Sequence, residues 1–103
     1  PAQLALAILL ELTDEETAKA LYQDFKREVI AHLPTPDFEI PVEMVEEWIL
    51  LTKEINRLCR IYDRNIDRDY ICEKLEAKMD ILCKKKKAIE EDIKTWHIKD
   101  EDI

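Results

Sequence analysis

Five basic residues at helical spacing in the middle of the chain are the strongest candidates for binding chemistry. They are Lys53, Arg57, Arg60, Arg64 and Arg68. Steps of three and four residues place side chains on one face of a helix, and like charges at that spacing repel one another. A row of ammonium and guanidinium groups binds phosphates or an acidic protein surface. We interpret this row, the basic stripe, as a candidate binding surface; an ordinary solvated helix face is the alternative.

Four acidic residues repeat this kind of spacing with the opposite charge. The acidic stripe, separated by four, three and four residues, consists of Asp69, Glu73, Glu76 and Asp80. If the chain turns back between residues 66 and 67, these acids lie level with residues 64, 60, 57 and 53. The apolar seams described below direct the basic stripe outward and the acidic stripe to the flank. The two stripes then meet more easily between two molecules than within one, which indicates an oligomer held partly by charge.

Residues that could perform catalysis are few. The chain has no serine and no glycine, and its two histidines, His32 and His97, do not form the ExxH or HExxH spacing of helical metal sites. Its three cysteines, Cys59, Cys72 and Cys83, lack a CxxC pair. We therefore predict no catalytic, metal or cofactor site and a protein that is not an enzyme. A small helical enzyme that binds an anionic metabolite through its arginines is a third hypothesis.

Length, charge and hydropathy limit the class of protein. The chain has 103 residues and a net charge of −8, which favours a single domain. Residues 1–47 carry eleven acids and three bases, whereas residues 48–89 carry seven acids and eleven bases, so the basic stripe lies in a basic middle segment. An odd number of widely spaced cysteines favours a reducing, cytoplasmic location. No segment reaches the roughly 18 apolar residues that a membrane span needs.

The first half of the chain predicts two helices and a loop. Residues 1–12 are almost entirely apolar and indicate a buried or partner-binding helix. Residues 13–16, Thr-Asp-Glu-Glu, form a capping box that begins an amphipathic helix over 14–32. Pro34 ends this helix, and the prolines at 34, 36 and 41 predict an extended crossover loop over 34–41.

The second half carries two apolar seams with alternating steps of three and four residues. Their phase breaks within residues 63–69. One bent helix fits this break, but we favour a turn near Asn65 and a new helix capped by Asp67. We therefore predict antiparallel helices over 42–64 and 67–97, followed by an acidic tail at 98–103. The seam is expected to be held by Trp48, Leu51, Ile55, Leu58, Leu75, Leu82, Ile89 and Trp96.

A run of four lysines, Lys84–Lys87, interrupts the second seam. The run covers a complete helical turn and precedes acids at 90–92, so solvation is the favoured interpretation and nucleic-acid binding the alternative. Lys86 falls on the seam itself. It marks either the end of the core or a position that disfavours a second chain.

These features predict an all-α fold: a single domain over 1–103, with four helices and a long C-terminal antiparallel αα-hairpin. We expect a non-enzymatic protein–protein interaction or assembly module that self-associates or binds a protein partner. The second hypothesis is a nucleic-acid-binding accessory protein that uses the basic stripe. No small-molecule substrate and no membrane span are expected.

Overall fold

The computed structural model describes residues 2–33 and 40–101, with side chains described through residue 93. These residues form four α-helices and contain no strand, so the predicted all-α class is confirmed. The helices are α1 (Ala2–Leu12), α2 (Glu15–Glu28), α3 (Val42–Arg64) and α4 (Asp69–Glu101), and a short 3-10 helix spans Ile30–His32. The chain divides into two compact units, one comprising Pro1–Val42 with Glu90–Ile103 and the other Glu43–Ile89.

In the first unit α1 packs on α2. The core is built from apolar residues at helical spacing that are at most 2% exposed: Ala5, Leu9, Ala18, Leu21, Phe25 and Val29. Helix α2 begins at Asp14, whose carboxylate accepts a 2.8 Å hydrogen bond from the Thr17 amide. The predicted cap, Thr13, instead donates its amide to the Leu9 carbonyl at the end of α1. An aspartate cap is favoured here because its charge also interacts with the helix dipole.

Helix α2 is shorter than predicted. It ends at Glu28, and residues 30–32 continue as the 3-10 helix instead of a regular α-helix. Two β-branched residues, Val29 and Ile30, stand at this change, and β-branched side chains fit a regular α-helix less well. Pro34 then excludes the α conformation for the residue before it. The predicted crossover loop, 34–41, lies outside the described residues except for positions 40 and 41, which are not helical.

In the second unit α3 and α4 are separate helices joined by a turn at residues 65–68. Contacts that join them include Tyr62 to Glu76, Cys59 to Met79, and Lys86 to the Trp48 ring. As the residue number increases along α3, the number of the residue that it contacts on α4 decreases. These two segments therefore run antiparallel.

The bounds of α3 match the predicted 42–64, but α4 differs at both ends. It begins at Asp69, so Asp67 lies in the turn and does not cap the helix. At the other end, the residues 98–101 of the predicted acidic tail are helical. The chain has no proline after Pro41 and no glycine anywhere, so no residue that breaks helices occurs there. The single-domain interpretation stays a prediction.

Candidate interaction surface

The basic stripe is exposed along its whole length. Lys53, Arg57, Arg60, Arg64 and Arg68 are each exposed. Trp48 marks the face of α3 that contacts α4, and Arg57 follows it by nine residues, or two and a half helical turns. The four members of the stripe on α3 therefore lie on the side of that helix opposite to α4, whereas Arg68 lies in the turn beyond its end.

One member of the basic stripe is paired with a carboxylate of its own helix. Arg57 donates to Glu54 through Nε, at 3.1 Å, and through a terminal nitrogen. This hydrogen bond lowers the pKa of Glu54 and raises that of Arg57, and the charge of Lys78 on α4 further lowers the pKa of Glu54. Among the described residues, no ion pair involves the other four bases of the stripe. Those four remain available to a partner.

The acidic stripe is also exposed, and two of its carboxylates are held by neighbours. Asp69, Glu73, Glu76 and Asp80 are each exposed. The Tyr62 hydroxyl donates a 2.8 Å hydrogen bond to Glu76, which raises the pKa of Tyr62. Lys84 lies 3.0 Å from the Asp80 carboxylate. Within the described residues, no ion pair links the acidic stripe to the basic stripe.

Asn65 organises the turn between the two stripes. Its side-chain amide donates to the Ile61 carbonyl at 2.8 Å, and its backbone amide donates to the Tyr62 carbonyl at 3.0 Å. Its own carbonyl accepts from the Arg68 amide at 2.8 Å and from the Cys72 thiol at 3.0 Å. These bonds satisfy carbonyl groups that the end of α3 leaves without helical partners. The turn fixes where the acidic stripe begins.

The predicted seam lies inside the chain. Its described members are buried or half-buried, with Trp48, Leu58, Leu75 and Ile89 the most enclosed. The side chain of Trp96 lies outside the described residues. The seam residues therefore pack within one molecule and do not offer a surface to a second copy.

Lys86 is part of this buried seam. Its side chain is only 9% exposed, and its ammonium nitrogen lies 4.9 Å from the centroid of the Trp48 ring. This distance is within the range of a cation–π interaction. The other three lysines of the run are exposed. The predicted solvation therefore applies to Lys84, Lys85 and Lys87 but is wrong for Lys86, because an aromatic face on α3 receives its charge.

The three cysteines are unpaired but lie in different surroundings. Cys59 and Cys83 are exposed, whereas Cys72 is buried. Burial, together with nearby carboxylates, raises the pKa of the Cys72 thiol. Cys59 donates to the Met79 sulfur at 3.6 Å. Of the three thiols, only that of Cys72 is therefore shielded from solvent.

The described residues contain no group of three or more histidine, cysteine or acidic side chains placed to hold a metal ion. His32 is exposed, and the side chain of His97 lies outside the described part. A shallow, largely apolar depression on α1 is lined by Ala7, Ile8, Glu11 and Leu12. In the described part of the chain no helix combines the length and the apolar character that a membrane crossing demands. The two stripes are therefore the candidate interaction surface of the described residues.

Comparison with known proteins adds one similarity. Residues 1–51 match the model of a family of unknown function (DUF6166). The match covers α1, α2 and the beginning of α3, and it ends before Lys53. No match is found among curated proteins or among solved structures. Both stripes lie outside the matched residues.

Proposed function

We propose that this chain is a non-enzymatic helical interaction module that self-associates through its two charged stripes. The observation that carries the proposal is that two exposed rows of opposite charge occur on adjacent helices. Among the described residues, no ion pair joins one row to the other. Residues 53–64 and 69–80 carry their charges at the same steps of four, three and four. A second copy of the chain therefore offers each stripe a complementary one.

The seam is not used for the partner contact in this proposal. Trp48 is fully buried, and Leu58 is 3% exposed, so these side chains stabilise the chain that contains them. Coiled-coil pairing through the seam would require the hairpin to open. The stripes require no such change because their charged groups already face solvent.

Charge alone gives a weak and salt-sensitive association. An exposed ion pair contributes about 0.2–1 kcal/mol. A two-fold dimer repeats every contact, so four pairs become eight, but association also costs rotational and translational freedom. We expect dissociation in the micromolar range or weaker, and further weakening when the salt concentration rises from about 0.05 to 0.5 M, because ions screen exposed charges.

A charge-exchange experiment tests the proposal. One variant reverses the four bases of the stripe that lie on α3, Lys53→Glu, Arg57→Glu, Arg60→Glu and Arg64→Glu. The other reverses the four acids, Asp69→Lys, Glu73→Lys, Glu76→Lys and Asp80→Lys. Each variant alone places like charges against like, so sedimentation velocity is expected to show monomers. An equimolar mixture restores complementary stripes and is expected to form a heterodimer.

The control for charge reversal outside the stripes is Lys85→Glu/Lys87→Glu, which alters two exposed lysines. This variant is expected to self-associate like the parent chain. Circular dichroism shows whether each reversed variant keeps its helices, and heterodimer formation by the mixture shows it independently. A parent chain that is monomeric at all concentrations, or a mixture that stays monomeric while the parent associates, would refute the proposal.

Nucleic-acid binding is the second candidate, because four exposed bases follow one edge of α3 and a fifth, Arg68, lies in the turn after it. Neutralising phosphates with such a row gives binding that falls steeply with salt. The four-base reversal removes both functions, but the four-acid reversal separates them. Adding bases at positions 69–80 strengthens phosphate binding while it abolishes self-association. Failure of the parent chain to retain DNA or RNA at low salt would exclude this candidate.

We also infer that the protein works in the cytoplasm. Its three cysteines are unpaired, and two of them are exposed, as is usual in a reducing compartment. The absence of serine and the scarcity of histidine in the sequence support a role without catalysis, since these residues supply the commonest nucleophile–base pairs.

A further inference from the structure

Three sulfur-containing side chains lie along one side of the contact between α3 and α4. The Cys59 thiol, on α3, donates to the Met79 sulfur, on α4, at 3.6 Å. Cys83 follows Met79 by four residues, which is one helical turn further along α4. Cys59 and Cys83 are exposed, and Met79 is half-buried. These three residues, the sulfur cluster, belong neither to the charged stripes nor to the fully buried core.

The flank of α4 that carries Cys83 is within reach of α3. Cys83 repeats the helical position of Glu76, which lies seven residues, close to two turns, earlier. The Glu76 carboxylate accepts a hydrogen bond of 2.8 Å from the Tyr62 hydroxyl of α3. A side chain at position 83 therefore projects from α4 on a flank that side chains of α3 contact.

The antiparallel direction of the helices brings the two exposed thiols toward each other. The register of the contacts between the helices places Cys83 level with position 55 of α3, about one turn, or about 6 Å, from Cys59. A Cα–Cβ bond in a helix tilts toward the helix N-terminus. Because α3 and α4 run in opposite directions, Cys59 tilts toward the level of Cys83, and Cys83 tilts toward the level of Cys59.

The sulfur spacing fits the ligands of a single metal ion. Two sulfur atoms bound to one tetrahedral ion at about 2.3 Å are separated by about 3.8 Å, and the Cys59 and Met79 sulfurs are 3.6 Å apart. The thiol hydrogen that joins these sulfurs occupies the place of such an ion. Thiolate and thioether ligands together select Cu(I), whereas Zn²⁺ takes thiolate, imidazole and carboxylate ligands. A site whose two cysteines come from different helices has no CxxC pair, so the sequence spacing does not reveal it.

We propose that Cys59, Met79 and Cys83 bind one Cu(I) ion at the contact between α3 and α4. The inference is independent of the proposed self-association, because it uses no residue of either stripe. Each thiol releases its proton to the buffer when its thiolate binds the ion, and the copper is neither oxidised nor reduced. Cys72 is not part of the site, because it is buried and its thiol donates to the Asn65 carbonyl.

Competition with a chromogenic Cu(I) chelator tests the site in the complete, reduced chain under anaerobic conditions. The probe is Cu(I) alone, and the parent chain is expected to withdraw one equivalent from the chelator. Cys59→Ser, Cys83→Ser and Met79→Leu are each expected to weaken Cu(I) binding by about tenfold or more, because each removes one sulfur ligand. X-ray absorption is expected to show three sulfur neighbours of copper in the parent and two in Met79→Leu.

The matched controls are Cys72→Ser and Met44→Leu, which remove the remaining thiol and the remaining methionine of the chain. Both are expected to leave the Cu(I) affinity unchanged, and circular dichroism shows that each variant keeps its helices. An affinity that does not change in Met79→Leu would overturn the inference. So would equal losses in Cys59→Ser and Cys72→Ser, because the thiols would then bind copper without forming a common site.

Sedimentation velocity distinguishes a site within one chain from copper that bridges two chains. At high salt, where the charged stripes are screened, one equivalent of Cu(I) is expected to leave the parent chain monomeric. Dimers that form only after copper is added would overturn the inference. Sedimentation of the copper-free parent at low salt tests the proposed function separately, so the failure of one proposal is not mistaken for the failure of the other.

Discussion

The ammonium group of Lys86 lies over the Trp48 ring, although the sequence places it in a run of four lysines. A long alkyl stem lets lysine cover apolar surface while its charge meets an aromatic face. In the sequence, Lys86 is a charged residue at a position of the seam where an apolar residue is expected. Which aromatic residue faces it depends on how α3 and α4 are aligned, and that alignment is not contained in either helix alone.

We expect Lys86→Ala to lower the free energy of unfolding by about 1–2 kcal/mol, through loss of the cation–π contact and of stem packing. Lys85→Ala, at an exposed neighbouring position, is expected to change it by less than about 0.5 kcal/mol. Urea titrations monitored by circular dichroism give both values. Indistinguishable values for the two variants would show that the buried lysine contributes nothing specific.

The thiols allow a separate test at single residues. The thiolate is the reactive form of cysteine, and Cys72 is both buried and raised in pKa. Under native conditions near pH 8, Cys59 and Cys83 are expected to react with a disulfide reagent at least tenfold faster than Cys72. In denaturant the three rates are expected to converge. Rapid reaction of all three thiols in the native protein would mean that the Cys72 environment is open to solvent.

At the scale of elements, helical spacing and chain breakers allowed most of the fold to be predicted. Apolar steps of three and four residues placed α3 at its observed bounds, and the phase break located the turn after Arg64. The cap of α2 was assigned one residue too early because Thr13 and Asp14 are both good caps. The bonds of Asn65 were not predictable, since they depend on where Ile61 and Cys72 lie after the chain has turned.

The exposure of both stripes follows from the same spacing. Bases half a turn from a buried seam must face solvent, and the sequence is sufficient to predict that. The pairing of Arg57 with Glu54, which removes one base from the row, depends on side-chain conformations that spacing does not determine. Arg57→Ala is for this reason expected to weaken self-association less than Arg60→Ala.

The hydrogen bond between Tyr62 and Glu76 gives the two-helix element a pH dependence. Because this bond raises the pKa of Tyr62, its contribution to stability is complete below the unfolded tyrosine pKa, about 10, and is lost as the pH rises through the higher folded value. The difference in urea midpoint between the parent and Tyr62→Phe is therefore expected to be largest at neutral pH and to shrink above pH 10. Tyr70→Phe, at a residue that is 69% exposed, is the control for removing a tyrosine hydroxyl.

At the scale of the whole molecule, family similarity and proposed function fall on different parts of the chain. The similarity ends at residue 51, whereas the basic stripe begins at Lys53 and the acidic stripe at Asp69. The self-association proposed here depends on residues 53–80, which lie outside the matched part of the chain.

Self-association also links stability to protein concentration. A dimer that forms only from folded chains stabilises the folded state by mass action. For a chain of this size, raising the concentration a hundredfold is expected to raise the thermal midpoint by on the order of 5 °C at low salt. In 0.5 M salt the stripes are screened, so the midpoint should become independent of concentration, as it should for the four-base reversal at any salt. Calorimetry at two protein concentrations measures the shift in thermal midpoint directly. A parent chain whose midpoint at low salt does not change with concentration would contradict assembly through the stripes.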